Sequence, residues 1–134
     1  MAKSIPSRKT TAAEAKIYMR KAEQFYRTMS EAVLREDWDA VGLNAIHCVI
    51  SANDALLGIR HGIRPSGKNH LEATALLLQL ETGEDAKKNA SRFDRMLNKK
   101  HLVEYEGRSL SPSEGRKMAA DAERFLGWVN SRAR

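Results

Sequence analysis

The chain has 134 residues, 42% of them hydrophobic and 30% charged, with a formal net charge of +6 and a pI near 9.7. That length and balance suit one solvated domain with a real core, and no apolar run approaches the roughly 18 residues of a membrane span. The polar, basic N-terminus lacks the apolar segment of a secretory signal, and the single cysteine, Cys48, excludes an internal disulfide, so a cytoplasmic setting is expected.

Residues 1–10 carry Ser4, Pro6, Ser7, Arg8 and Lys9 and read as a flexible basic arm, with residues 11–134 forming one helical domain. Thr11-Ala12-Ala13-Glu14 fits a capping box, in which hydroxyl and carboxylate each satisfy an orphan backbone N–H. Tyr18, Ala22, Phe25, Met29 and Ala32 then recur at four- and three-residue spacings, predicting an amphipathic helix to about Arg35. Glu36-Asp37 opens a second helix, its acidic groups suited to the positive end of the helix dipole. Leu43, Ile46, Ile50 and Leu57 share one face of it, beside Ala45, Val49, Ala52 and Leu56, and this breadth of apolar surface predicts a central, buried helix ending at Gly58. Asn44, His47, Ser51 and Asp54 make a polar stripe along its side, and Asn53 falls on the apolar face itself. Buried polar groups need hydrogen-bond partners, so the stripe reads either as a satisfied network or exposed edge, or as a cleft wall or subunit interface.

A third helix is predicted from Lys68 or Asn69 to Glu81, with Leu71, Ala75 and Leu78 in one row, Leu77 and Leu80 beside it, and Thr82-Gly83 as the stop. Glu84 and Asp85 start a fourth, in which Ala86, Ala90, Phe93 and Leu97 keep the helical rhythm to about His101. Leu102 to Leu110 alternates Val103 and Tyr105 with Glu104 and Glu106 and reads as an extended connector. Ser111-Pro112-Ser113-Glu114 supplies an N-cap, a proline at the first helical position and a glutamate at the third. The last helix follows, with Met118, Ala122, Phe125 and Val129 in a row. Five amphipathic helices and no strand predict an all-α, up-and-down bundle.

The chemistry concentrates in Ile63–Glu72, where Arg64, Ser66, Lys68, Asn69 and His70 lie within seven positions around Pro65 and Gly67. Phosphate loops of the Walker type, dinucleotide fingerprints, His-Glu-x-x-His and a zinc-binding cysteine pair are all absent, so neither metal nor cofactor is expected. Arg64 and His70 are separated by five residues. Histidine titrates near neutrality and can move the proton of a 2′-hydroxyl or of a leaving oxygen. Arginine stays charged and can bind non-bridging oxygens as charge builds on phosphorus. Ser66, Lys68 and Asn69 would assist, with His47, Ser51 and Asp54 on the adjoining wall. The other reading of the pair is loop anchoring, with His70 capping the third helix or bonding Asp54, and Arg64 paired to an acidic group. A second pair of the same spacing, Arg95 and His101, lies in the last turns of helix four, where His101 sits near the negative dipole end.

In this architecture the chain resembles the HEPN superfamily, helical domains of bacteria and eukaryotes. The likeness runs through the segment from Ala45 to Leu56, Arg64 to His70, Leu102-Val103-Glu104-Tyr105 and Arg124-Phe125-Leu126-Gly127-Trp128-Val129. Pro65 departs from the pattern, because a small polar residue often follows the arginine, and Gly67 lies between the pair where the motif often sits at a helix start. The resemblance implies a bundle of four or five helices, often dimeric. It implies Arg64 and His70 as a metal-free, toxin-like endoribonuclease site, with RNA or a nucleotide as ligand. The alternative it implies is a non-catalytic interaction module, partnering a nucleotidyltransferase encoded nearby or acting as an antitoxin.

Overall fold

The computed structural model describes residues 4–67 and 69–133. The expected capping box is formed: Glu14 N–H donates to Thr11 Oγ1 and Thr11 N–H to Glu14 Oε1, opening α1 (Ala12–Arg35). Glu36 ends it in the left-handed region at φ 60°, and the chain turns straight into α2 (Trp38–His61). After the Ile63–Glu72 loop come α3 (His70–Leu80), α4 (Glu84–Asn98), the six-residue α5 (Lys100–Tyr105) and α6 (Pro112–Arg132). The bundle is all-α, with five helices of eleven residues or more.

α2 is the axis and packs against every other helix. Val41, Ala45, Ile46, Cys48, Val49, Ala52, Leu56 and Leu57 are fully buried along it, although Leu43, on the expected core face, stays 39% exposed. By length and composition α2 could cross a membrane, but most of it is buried inside the bundle. The core is completed by Phe93 stacked on Phe125 with centroids 5.3 Å apart, and by Met118, Ala122 and Val129 of α6.

The structure differs from the expectation at four places. The basic arm is tied down: β1 (Ser7–Lys9) pairs antiparallel with β2 (Ile63–Pro65), Arg8 opposite Arg64. Ile5 packs on the core, buried Thr10 donates its N–H to the Gly62 carbonyl at 2.9 Å, and these contacts hold the ladder in place. Pro65 fits because it ends a short edge strand, where a missing N–H costs little.

Gly58 does not end α2. A Cβ there would lie 2.8 Å from Thr10 Cγ2 and 2.9 Å from Ala15 Cβ, so this glycine permits close approach of the N-terminal segment. Gly62, at φ 69°, supplies the left-handed cap instead.

Residues 100–105 are helical rather than extended. Lys100 and Glu104 form an i,i+4 ion pair at 2.7 Å, while Leu102 and Val103 pack together on the core. Helix four accordingly stops at Asn98.

The row Leu71, Ala75 and Leu78 faces outward, with Leu71 65% and Leu78 45% exposed, and Leu76 and Leu77 carry the buried face of α3 instead.

Candidate functional site

Two backbone devices shape the loop between α2 and α3. At its start, the β1–β2 ladder and the Thr10-to-Gly62 hydrogen bond fix the direction in which the chain leaves α2. At its end, Asn69 caps α3, its Oδ1 accepting from the N–H groups of Leu71 at 2.9 Å and Glu72 at 3.3 Å. Between these anchors a cleft of about 450 Å³ opens against α2, α4 and α5. Arg64, Asn69 and His70 line it from the loop, His47, Asn53 and Asp54 from α2, and Lys100 and Glu104 from α5.

Arg64 is half-buried and held from beneath: its guanidinium carbon lies 5.2 Å from the Tyr18 ring centroid. An aromatic face attracts the cation without consuming its N–H donors. Among the described residues those donors make one hydrogen bond, a long 3.5 Å contact from Nη1 to the Pro65 carbonyl.

The Arg64 charge acts on Glu14 in the first turn of α1 and on Asp54 at the cleft wall. Burial pushes the Asp54 carboxyl up to about 7, against a smaller downward pull from Arg64. A carboxyl of this kind exchanges its proton near neutrality and can give or take one at the cleft wall.

His47 packs against Phe25, centroids 5.5 Å apart, and contributes a minor attraction to Glu104 across the cleft. The Lys100 hydrogen bond holds the Glu104 carboxyl below the usual carboxylate range, so this pair stays ionised at the rim.

The expected site residues separate accordingly. Arg64, His70, Asn69, His47 and Asp54 converge on one cleft. His70 is the first residue of α3, and Asn69, not His70, is its cap. Asn69 uses its oxygen for that cap, accepting from two N–H groups of the first turn, and its amide NH₂ is not used in the cap.

Ser66 and Ser51 do not line the cleft; Ser51 is 8% exposed within the bundle. Lys68 lies outside the described residues. Asn44 donates to its own helix at the Ala40 carbonyl.

The second Arg–His pair does not line this cleft. Arg95 lies 3.7 Å from Asp121, while His101 packs tilted against Tyr105 with ring centroids 5.4 Å apart.

Four residues around Arg64 or the cleft were not read from the sequence as part of the site. Tyr18 supports Arg64 from α1, Arg8 stands opposite Arg64 in the ladder, and α5 brings Lys100 and Glu104. The Lys100/Glu104 spacing was the available signal for α5; nothing local announces Tyr18 or Arg8. Among the described residues, no three His, Cys, Asp or Glu side chains are grouped as a metal ion requires.

A search of curated proteins finds no match to the chain. A family comparison does: the HEPN domain matches residues 15–132, from the first turn of α1 to the end of α6. The chain belongs to the HEPN family.

Proposed function

We propose that the cleft binds the phosphodiester backbone of RNA and cleaves it by attack of the adjacent 2′-hydroxyl. The observation that carries this reading is that Arg64 and His70, with five residues between them, line one cleft. The 2′-oxygen attacks phosphorus, its proton leaves to a base, the P–O5′ bond breaks and the 5′-oxygen takes up a proton. His70 serves as the proton-transfer group, Asp54 as a second carrier of suitable acidity, and Arg64 binds the non-bridging oxygens. The Asn69 amide and His47 add hydrogen bonds to phosphate or ribose. Arg8, on the same face of the ladder as Arg64, adds positive charge at the entrance. Such a site needs no metal or cofactor, and a cytoplasmic setting fits the lone buried Cys48.

The test is single-turnover cleavage of a labelled RNA oligonucleotide in the presence of a chelator. Arg64→Ala and His70→Ala are each expected to slow cleavage roughly 10²-fold or more. If both variants cleave as fast as the parent, the assignment fails.

A second reading is favoured by the exposed row Leu71, Ala75 and Leu78 beside the loop. It supports an interaction face, either for a second copy of this chain, which would bring two clefts together, or for a protein partner encoded nearby. A dimer dissociated by Leu71→Asp with loss of cleavage would join the two readings. Unaltered RNA affinity without cleavage, together with a stable complex with the neighbouring gene product, would favour the non-catalytic module.

A further inference from the structure

We infer that Asn53 reads the base of the bound nucleotide and selects adenine at the floor of the cleft. The inference deepens the reading of the cleft as a phosphodiester site and rests on it. Asn53 stands on a face of α2 otherwise built of Ile46, Val49 and Ile50, and it is 1% exposed. Among the described residues its Oδ1 has no hydrogen-bond partner. Folded proteins avoid an amide buried in that state, and where one is kept the position asks for an explanation. Here the residue lines the cleft that holds Arg64 and His70.

The surroundings of Asn53 define what would satisfy it. Ile50, Ala73, Phe93 and Leu97 line the same cleft, so its inner part is apolar while Arg64, His70 and Asn69 contribute its polar part. A nucleotide has the matching division, a phosphate at one end and a flat base with apolar faces and a polar edge at the other. The apolar side chains accept the faces of the base, and the amide is left for the edge. Asn χ2 is a soft torsion, so the amide can turn toward the cleft while χ1 stays in its well.

An unpartnered carbonyl oxygen calls for an N–H donor. Paired with the amide NH₂, it matches the adjacent amine and ring nitrogen of adenine, the pairing that asparagine geometry favours. On that N6/N7 edge hypoxanthine presents only acceptors, O6 and N7, and uracil has no second ring to carry such an edge or to fill the apolar lining. Cytosine has a comparable edge but a smaller ring, which leaves the apolar lining less filled.

The probes are fluorescent 2′-O-methyl hexamers of adenine, cytosine, uracil and hypoxanthine, which bind but have no 2′-hydroxyl to react. Dissociation constants are measured by anisotropy at one fixed salt concentration. The parent is expected to favour the adenine hexamer over those of uracil and hypoxanthine by roughly 5- to 150-fold. In Asn53→Ala and Asn53→Leu the ratio should fall to near unity, whereas Arg64→Ala should weaken all four alike and preserve it. The ratio is taken within one protein sample, so a partial loss of folded molecules does not alter it. A parent ratio near unity, or a ratio unchanged in both Asn53 variants, overturns the inference and leaves the phosphodiester reading standing. If no hexamer binds the parent and Arg64→Ala changes nothing, both fall.

Discussion

Glu81 is the most heavily bonded side chain among the described residues, and replacing it by glutamine tests how the bundle is closed at one end. Its carboxylate is fully buried at the C-cap of α3. One oxygen, Oε2, accepts from Arg60 Nε at 2.8 Å and lies 2.5 Å from His61 Nε2, while Oε1 accepts from Arg132 at 2.6 and 2.9 Å. These bonds tie the end of α2, the end of α3 and the end of α6 together. Burial pushes the carboxyl up, but the hydrogen bonds from Arg60, His61 and Arg132 outweigh it and hold it below the ordinary 4.5.

A hydrogen bond to a charged group contributes about 1.5–3 kcal/mol. The three partner side chains are 37%, 24% and 36% exposed, so water can partly replace the carboxylate and the sum must be discounted. Glutamine also keeps one acceptor oxygen. We expect Glu81→Gln to cost about 2–3 kcal/mol. With an unfolding entropy near 2.1 cal/mol/K per residue, that lowers Tm by roughly 7–11 °C. Because the folded-state pKa is depressed, the stabilisation is fully present above about pH 4.5 and is lost as pH falls through the lower folded value. Thermal melts of parent and variant should therefore run apart at pH 7 and draw together in acid. A difference that is absent at pH 7, or that keeps its size in acid, would refute the reasoning.

Other substitutions probe packing and the cleft. Gly115→Ala places a Cβ 2.6 Å from Trp38 Cε3, a ring atom that cannot step aside, and should destabilise by about 1–3 kcal/mol in denaturant titrations. Gly127→Ala on the same helix meets nothing within 4 Å and should stabilise by about 0.8–1 kcal/mol. Asp54, raised by burial to about 7 from an ordinary 3.8, binds its proton more tightly folded than unfolded, so its contribution is full below about pH 3.8 and falls as pH rises to 7. Asp54→Asn should therefore stabilise the protein at pH 8 by on the order of 1–3 kcal/mol, read as a higher Tm than the parent's, with the gap closing in acid. Cys48, whose thiol burial pushes up to about 12, should resist alkylation in the folded protein and react once denaturant opens the core.

Most of the helices were legible because helical periodicity and caps are local. Thr11/Glu14 and Ser111/Glu114 form the capping boxes that their spacing announces. The errors arose where distant contacts decide. Ser7–Lys9 has no strand signal of its own and is ordered by pairing with Ile63–Pro65 and by the seat of Thr10 against Gly58. The alternation in Val103–Glu106 resembles a strand, yet the Lys100–Glu104 pair and the core contact of Leu102 and Val103 make it a helix. Leu71 and Leu78 show the limit of periodicity, which identifies an apolar row but does not say whether the fold covers it.

The candidate site follows the same division. Arg64 and His70 are visible in the sequence, but a five-residue gap across a proline and a glycine leaves their directions open. Their convergence depends on restraints supplied from elsewhere. The N-terminal strand holds Ile63–Pro65, the Tyr18 ring lies under the Arg64 guanidinium, and the Asn69 cap sets the first turn of α3 at His70. Pro65, out of place in a conventional motif, is accommodated as the last residue of an edge strand and lines the cleft. Asn53 and Asp54 then face this assembly from α2, the most buried helix, where an unpaired amide and a carboxyl with a raised pKa are both costly to keep. A purely structural interior would do better with apolar residues at such positions. Their presence on the wall that Arg64 and His70 share is therefore best explained by a ligand that brings its own polar groups.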